Sequence, residues 1–100
     1  MVSVALYVPL EAKPGKADDV EQFLRDAKGL ADEEPGTTAW FALRMGPTSF
    51  AIFDAFPDDE GRQAHLTGKI AEQLMASADE LLATPPQIHQ LDVVASKLPG

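Results

Sequence analysis

Apolar residues alternate with other residues along the first ten positions of the chain. From Val2 to Leu10 every second side chain is valine or leucine, and this period of two predicts a β-strand. Lys13-Pro14-Gly15 then ends the strand. From Lys16 to Asp32 apolar residues return at spacings of three and four, which predicts a helix with one buried face.

Two further alternating stretches predict an antiparallel hairpin. They run from Thr37 to Met45 and from Ser49 to Phe56, and Gly46, Pro47 and Thr48 form the turn between them. Both faces of this hairpin are largely apolar, which is the pattern of a sheet that is covered on both sides.

The rest of the chain predicts two helical stretches and a last strand. Asp58 to His65 begins with carboxylates at its cap and first turn, and Lys69 to Ala83 carries an apolar stripe. Ile88 to Lys97 alternates again. The order strand, helix, strand, strand, helix, strand is that of a ferredoxin-like α+β fold with a four-stranded antiparallel sheet. At this length we expect one domain over residues 1–100.

This topology places helices on one side of the sheet and leaves the other side bare. Because the hairpin is apolar on both faces, we expect the bare face to meet a second copy of the chain, giving a homodimer with sheet packed against sheet. A monomer with one solvent-exposed sheet face would need polar residues at every second strand position, and the hairpin does not have them.

Composition excludes several classes of function. The net charge is −8 with only 8 scattered lysines and arginines, which argues against nucleic-acid binding and against adhesion to anionic membranes. The absence of cysteine excludes disulfides, thiolate nucleophiles and cysteine-ligated metals. The N-terminal stretch lacks a basic region and soon turns polar, so we expect neither a signal peptide nor a membrane span, and a cytoplasmic location.

His65 is the strongest candidate for chemistry. It lies beside the apolar stripe of the helical region, where it could reach a cavity between helix and sheet, and an ordinary pKa of about 6.5 suits proton transfer. The alternative is a partly buried histidine that caps the helix or bonds a backbone carbonyl. The other histidine, His89, is expected at an exposed or edge position. The two histidines lack metal-ligand spacing, so no metal site is predicted.

Four strand residues are candidates for binding a ligand. Trp40 and Tyr7 could line a pocket with their polar tips turned inward, or they could simply fill the core or an interface. Arg44, on the same strand face as Trp40, could hold an anionic or phenolate oxygen. The simpler alternative is an ion pair between Arg44 and Asp54, because a carboxylate among apolar neighbours must be paired or lie at a rim.

These residues together resemble a known family. The stretch from Pro35 to Ala83 contains Phe53-Asp54-Ala55-Phe56, then Asp58-Asp59-Glu60, then Ala64-His65-Leu66. In this order they resemble the antibiotic biosynthesis monooxygenase domain family, and within it the small quinol-monooxygenase-like members of the dimeric α+β barrel class. With the first strand and helix, the resemblance covers nearly the whole chain.

The resemblance implies a homodimer and a pocket between sheet and helices in each subunit. Members of this family oxidise phenolic or hydroquinone substrates with molecular oxygen and need no flavin, haem or metal, so no cofactor is expected. It further implies His65 as the base, Trp40 or Tyr7 as the residue that orients the ring, and Arg44 as the group that steadies the oxyanion. Many members carry a second histidine one turn after the first, where this chain has Gly68-Lys69-Ile70-Ala71. The related haem-degrading branch uses an asparagine in its pocket, and this chain contains no asparagine, which argues against haem degradation.

The sequence therefore predicts a cofactor-independent monooxygenase that acts on a small phenol, hydroquinone or polyketide-like aromatic compound. Two alternatives stay open at this point. One is a non-catalytic dimeric barrel that binds a small apolar ligand, which a solvent-facing His65 would favour. The other is a purely structural dimer associated with stress or biosynthesis, which a filled core without a cavity would favour.

Overall fold

The computed structural model describes residues 1–99 and confirms the predicted element order. Its strands and helices are β1 (Val4–Glu11), α1 (Ala17–Asp32), β2 (Ala39–Arg44), β3 (Ser49–Phe56), α2 (Asp59–Leu66), α3 (Lys69–Leu81) and β4 (His89–Asp92). The four strands form one antiparallel sheet in the order β2-β3-β1-β4. This is the ferredoxin-like α+β arrangement.

The last strand is shorter than the sequence predicts. β4 ends at Asp92, opposite Val4, and one further hydrogen bond joins the amide of Val93 to the carbonyl of Ser3 at 2.9 Å. Within residues 1–99, no backbone hydrogen bond ties the chain to the sheet after that point. The predicted strand continues to Lys97, with apolar residues alternating as far as Ala95, but a strand also needs a neighbouring strand to which it can hydrogen-bond.

One face of the sheet carries the core. Leu6, Val8 and Leu10 of β1 point to the same side as their β3 partners, and the helices cover this side. The helical stripes supply the other half of the core, through Val20, Leu24, Leu74 and Ala78. The spacing of these four residues follows the helical period, so each helix buries one face.

The opposite face, here called the open face, has no cover within the subunit. Small residues occupy its middle, since Ala5, Ala51 and Ala55 are all buried there. Its β2 edge is large and apolar, because Phe41, Leu43 and Met45 are 42–53% exposed. The prediction of a hairpin with two apolar faces is confirmed.

Local sequence sets the start of the helix that matters most for the site. Asp58 caps α2, because its side chain accepts a hydrogen bond from the amide of Gly61 at 2.9 Å. Acidic residues fill the first turn of α2, where the helix dipole favours negative charge. No helix among residues 1–99 is both long enough and apolar enough to cross a membrane.

Candidate functional site

A histidine between two carboxylates is the most distinctive polar cluster in the fold. Nδ1 of His65 donates a hydrogen bond to Oε1 of Glu34 at 2.6 Å, and Nε2 of His65 lies 2.9 Å from Oδ2 of Asp54. His65 is 7% exposed and Asp54 is fully buried. The three side chains, here called the carboxylate–histidine cluster, come from three different parts of the fold.

The fold positions each member of the cluster separately. Asp54 faces the helices because it lies opposite Leu6 on the central strand β1. His65 is in the last turn of α2 and rests on the ring of Phe56, with ring centroids 5.4 Å apart. Glu34 follows the end of α1, and the hydroxyl of Thr37 donates to its Oε1 at 2.8 Å.

A close backbone contact holds α2 against the loop that carries Glu34. A side chain at Gly61 would begin 2.8 Å from the carbonyl oxygen of Gly36, which is closer than real contacts allow. Only glycine at this position lets the first turn of α2 approach the loop so closely. The approach brings His65 within hydrogen-bond distance of Glu34.

The carboxylates favour the protonated form of His65. Burial by itself lowers the pKa of His65, but the close contacts with the carboxylates of Asp54 and Glu34 and their negative charges outweigh it and raise the pKa above its ordinary value. Among residues 1–99, the carboxylate oxygens of Asp54 receive no aligned hydrogen bond, and His65 is the only ionic partner of Asp54. A positively charged imidazolium is therefore what compensates this buried carboxylate.

A cavity of about 330 Å³ adjoins the cluster. It opens between the end of α1 and α2, and its walls include Leu30, Glu34, Pro35, Thr37, Ala64 and His65. Both ring nitrogens of His65 already face carboxylates, so neither is free to take a proton from a bound molecule. Oε2 of Glu34 receives no hydrogen bond from the described residues. It is therefore the cluster's free proton acceptor at this cavity.

Trp40 lies beside the cluster. It is the direct cross-strand partner of Asp54, and its ring packs against Ala31 and Ile70. Its indole N–H is buried without an acceptor among the described residues. Trp40 thus combines the two predicted roles, since it packs against the core and also lines cavities between α1 and β2.

The predicted pairing of Arg44 with Asp54 is wrong. The strand register places Arg44 opposite Phe50, whereas Asp54 lies opposite Trp40. Arg44 pairs instead with Glu21 of α1 at 2.7 Å, and donates to the carbonyls of Gly46 and Pro47. Arg44 lies four residues after Trp40 along β2, which is a distance of roughly 13 Å. Arg44 is therefore remote from Asp54, the cross-strand partner of Trp40.

Tyr7 lies on the other side of the sheet from the cluster. Its neighbours on the open face are His89, whose ring centroid is 5.9 Å away, and Met45, whose sulfur accepts from the phenol at 3.8 Å. His89 is exposed on the edge strand β4, as predicted. The structure therefore brings together His65, Asp54 and Trp40, and separates Tyr7 and Arg44 from them.

Sequence reasoning missed Glu34, although a signal was present. Glu33 and Glu34 follow Asp32 at the carboxyl end of α1, and the last turn of α1 contains no basic residue. The helix dipole disfavours negative charge at that end. Carboxylates at an unfavourable place indicate a partner elsewhere in the fold, and for Glu34 that partner is His65.

Comparison with known proteins gives a family and a fold. No family model and no curated protein matches the chain. Among solved structures, the NE2512 protein of unknown function from Nitrosomonas europaea is 54% identical, with a TM-score of 0.98 over 100% of this chain and 97% of that one. This level of identity over the full length indicates common descent.

More distant structures share the fold alone. A "putative antibiotic biosynthesis monooxygenase" from Nitrosomonas europaea is 17% identical, with a TM-score of 0.82 over 92% of this chain and 99% of that one. A protein of the same description from Caulobacter crescentus is 18% identical, with a TM-score of 0.80 over 94% of this chain and 92% of that one. The resemblance noted in the sequence is confirmed at the level of the fold.

Proposed function

Because the chain belongs to the family of the Nitrosomonas europaea NE2512 protein, and has the fold of antibiotic biosynthesis monooxygenases, we propose that it is a cofactor-independent monooxygenase. Its substrate would be a small phenol, hydroquinone or polyketide-like aromatic compound, and its oxidant molecular oxygen. The observation that carries the proposal is the carboxylate–histidine cluster at the wall of a 330 Å³ cavity.

In this reaction the protein has to remove the phenolic proton and stabilise the negative charge of the phenolate. A phenol that loses its proton is electron-rich enough to reduce oxygen. When the phenol takes up one O2 and releases one water, it becomes a quinone that keeps one oxygen atom from O2, and the other leaves in the water. The enzyme must therefore bind the ring, remove the phenolic proton and stabilise the phenolate.

The cluster supports a division of these tasks. Oε2 of Glu34 would accept the phenolic proton, and Glu34 is 20% exposed, so it could pass that proton to water. The imidazolium of His65 would stabilise the phenolate by its charge, and buried Asp54 would keep His65 protonated. His65 would thus act together with Glu34, rather than as the lone base that the resemblance implies.

The open face supports a homodimer as the working form. Its exposed edge of Phe41, Leu43 and Met45 is continuous with the alanine floor of the sheet. Apolar surface of this kind gains stability when a second apolar sheet covers it. The dimer would leave the cavity at the cluster unobstructed, because that cavity lies on the helical side.

Two observations weigh against the non-catalytic alternatives. A ligand-binding barrel without chemistry would be favoured by a solvent-facing His65, yet His65 is buried between two carboxylates. A purely structural dimer would be favoured by a filled core, yet a cavity adjoins the polar cluster.

The test is oxygen uptake by the purified, metal-free protein with a panel of hydroquinones and anthrone-like phenols. Uptake should exceed autoxidation for at least one compound. Glu34→Gln should lower that excess by about 10²–10⁴-fold, which is the usual contribution of a positioned base. Glu80→Gln is the matched control, since it removes the same charge at an exposed position of α3, outside this cavity, and should leave the rate unchanged.

Uptake at the background rate for every compound in the panel would contradict the proposed function. Equal losses in Glu34→Gln and Glu80→Gln would contradict the role of Glu34, because the effect would then follow overall charge and not contact with His65.

A further inference from the structure

A second cavity, of about 430 Å³, lies between α1 and the edge strand β2. It does not include the carboxylate–histidine cluster. Its volume is within the range of about 300–1,000 Å³ that is typical of small-molecule sites. The walls combine apolar side chains with charged ones. The apolar part consists of Leu24, Trp40, Ala42, Leu43 and Phe50.

The net charge of this cavity is opposite in sign to the net charge of the whole protein. Three cations and one anion line it, namely Arg25, Lys28, Arg44 and Glu21. With Asp32, which pairs with Lys28 at 2.7 Å, the local charge is +1. The whole chain carries −8 and has only 8 lysines and arginines. This cavity would therefore attract an anion, whereas the negative charge of the rest of the protein repels anions.

The three cations differ in their freedom to bind a ligand. Arg44 is fixed by Glu21 and by two carbonyl oxygens, and its guanidinium lies 5.0 Å from the centre of the Phe50 ring. It therefore forms part of the wall. Arg25 and Lys28 lie three residues apart on α1, with side chains that are each 70% exposed. This spacing places both on the same side of the helix.

Freeing Arg25 and Lys28 costs little. Lys28 pairs with Asp32, and Arg25 pairs with Glu21, in exposed ion pairs within one helix, and such pairs contribute almost nothing to stability. Glu21 also keeps Arg44 as a partner at 2.7 Å. An incoming carboxylate can thus take Arg25 without leaving Glu21 unpaired.

We propose that the cavity between α1 and β2 binds a planar aromatic carboxylate. The aromatic ring would lie between Trp40 and the floor formed by Leu24 and Phe50, both of which are buried. The carboxylate would lie at the rim, where Arg25 and Lys28 reach it. This ligand site is separate from the cluster proposed for oxidation, and its occupancy does not depend on that activity.

Trp40 makes the proposal directly measurable, because it is the only tryptophan in the chain. A ¹H–¹⁵N spectrum therefore contains a single indole N–H signal, which reports on a wall of this cavity. The probe is 2-naphthoate, and its matched neutral form is 2-naphthamide. We expect 2-naphthoate to shift the indole signal saturably, and 2-naphthamide to bind about tenfold more weakly or not at all.

Two double variants carry the same change of net charge. Arg25→Gln with Lys28→Gln should weaken the binding of 2-naphthoate by about tenfold, which is the scale expected for two exposed charge contacts. Lys16→Gln with Lys97→Gln removes two charges outside this cavity and should leave the affinity unchanged. His65→Gln should bind 2-naphthoate as the wild type does, since His65 does not line this cavity.

Three results would overturn the proposal. They are equal affinity for 2-naphthamide and 2-naphthoate, equal weakening in the two double variants, and loss of binding in a folded His65→Gln protein. The last would place the ligand at the carboxylate–histidine cluster instead.

Discussion

Nε2 of His65 lies 2.9 Å from Oδ2 of Asp54, and Asp54 is fully buried. A carboxylate without solvent and without an aligned hydrogen bond is costly unless a positive charge stands next to it. The imidazolium of His65 supplies that charge, and Glu34 holds the other side of the ring. The fold therefore depends on this histidine's protonation, and the proposed chemistry depends on the same feature.

Asp54→Asn should destabilise the protein by about 1–3 kcal/mol, because it removes one of the two carboxylates that stabilise the buried imidazolium of His65 and leaves only Glu34. The measurement is the free energy of unfolding in urea near neutral pH. Asp92→Asn is the control, since it makes the same chemical change at an exposed position of β4 and should cost less than about 0.5 kcal/mol. Equal effects of the two changes would show that Asp54 and His65 are not energetically coupled.

Stability should fall as the pH rises above neutrality. The pKa of His65 is raised in the folded state, relative to about 6.5 when the chain is unfolded. The corresponding stabilisation is fully present below pH 6.5 and is lost as the pH rises through the folded pKa, at about 1.4 kcal/mol for each unit of difference. Urea unfolding between about pH 6 and pH 9 measures this loss.

His65→Gln serves as the control for that titration, and its stability should change much less over the same range. The carboxylates of Glu11, Glu21 and Asp59 have pKa values below their ordinary range. Their contributions are lost only as the pH falls into the acid range, so they do not affect this window. A wild-type slope that matches that of His65→Gln would contradict the assignment.

Gly61→Ala should destabilise the protein by about 1–3 kcal/mol, because the new methyl group would begin 2.8 Å from the carbonyl oxygen of Gly36. The backbone must shift, and α2 would move away from the loop that carries Glu34. Gly29→Ala is the matched control, since the site is inside α1 and, apart from the adjacent backbone of its own helix, no atom lies within 4 Å of the added carbon. That change should stabilise by about 1 kcal/mol. Thermal unfolding of both variants distinguishes crowding from a general effect of alanine.

Phe41→Glu should shift the proposed dimer towards monomers, because it places a charge in the exposed apolar edge of the open face. We expect the dissociation constant to rise by about thirtyfold, which is the scale for an interface residue worth about 2 kcal/mol. Sedimentation across a range of concentrations measures it. Met75→Glu is the control, because Met75 is similarly exposed at 57% but lies on α3, away from the open face. A wild-type protein that is monomeric at all concentrations would contradict the dimer.

Most of the fold could be predicted because local pattern and tertiary packing agree in this chain. The alternation in β1 and in the hairpin, and the helical stripes of α1 and α3, each match the face that is buried. The exception is β4, which the sequence predicts to run to Lys97 although the strand ends at Asp92. The length of a strand depends on how far a neighbouring strand pairs with it, and the strand's own sequence pattern does not specify this.

The site could be predicted only in part, because its members meet through register and loop geometry. His65, Asp54 and Trp40 could be singled out as polar or large groups among apolar neighbours. Their pairing could not, since the offset between β2 and β3 decides that Trp40 and not Arg44 lies opposite Asp54. The contact of Glu34 with His65 could not be predicted, because the two residues are 31 positions apart in the chain and meet through a close approach that needs glycine at position 61.

The protonation state of His65 is the most direct test of the account. In a His89→Gln background only one imidazole remains, so the ¹⁵N signals of Nδ1 and Nε2 can be followed by pH titration without ambiguity. We predict that the ring titrates above its ordinary value of about 6.5, because the carboxylates of Asp54 and Glu34 favour its protonated form, and that Asp54→Asn lowers that value. A ring that titrates at or below about 6.5 would contradict the imidazolium between two carboxylates, and the proposed stabilisation of a phenolate with it.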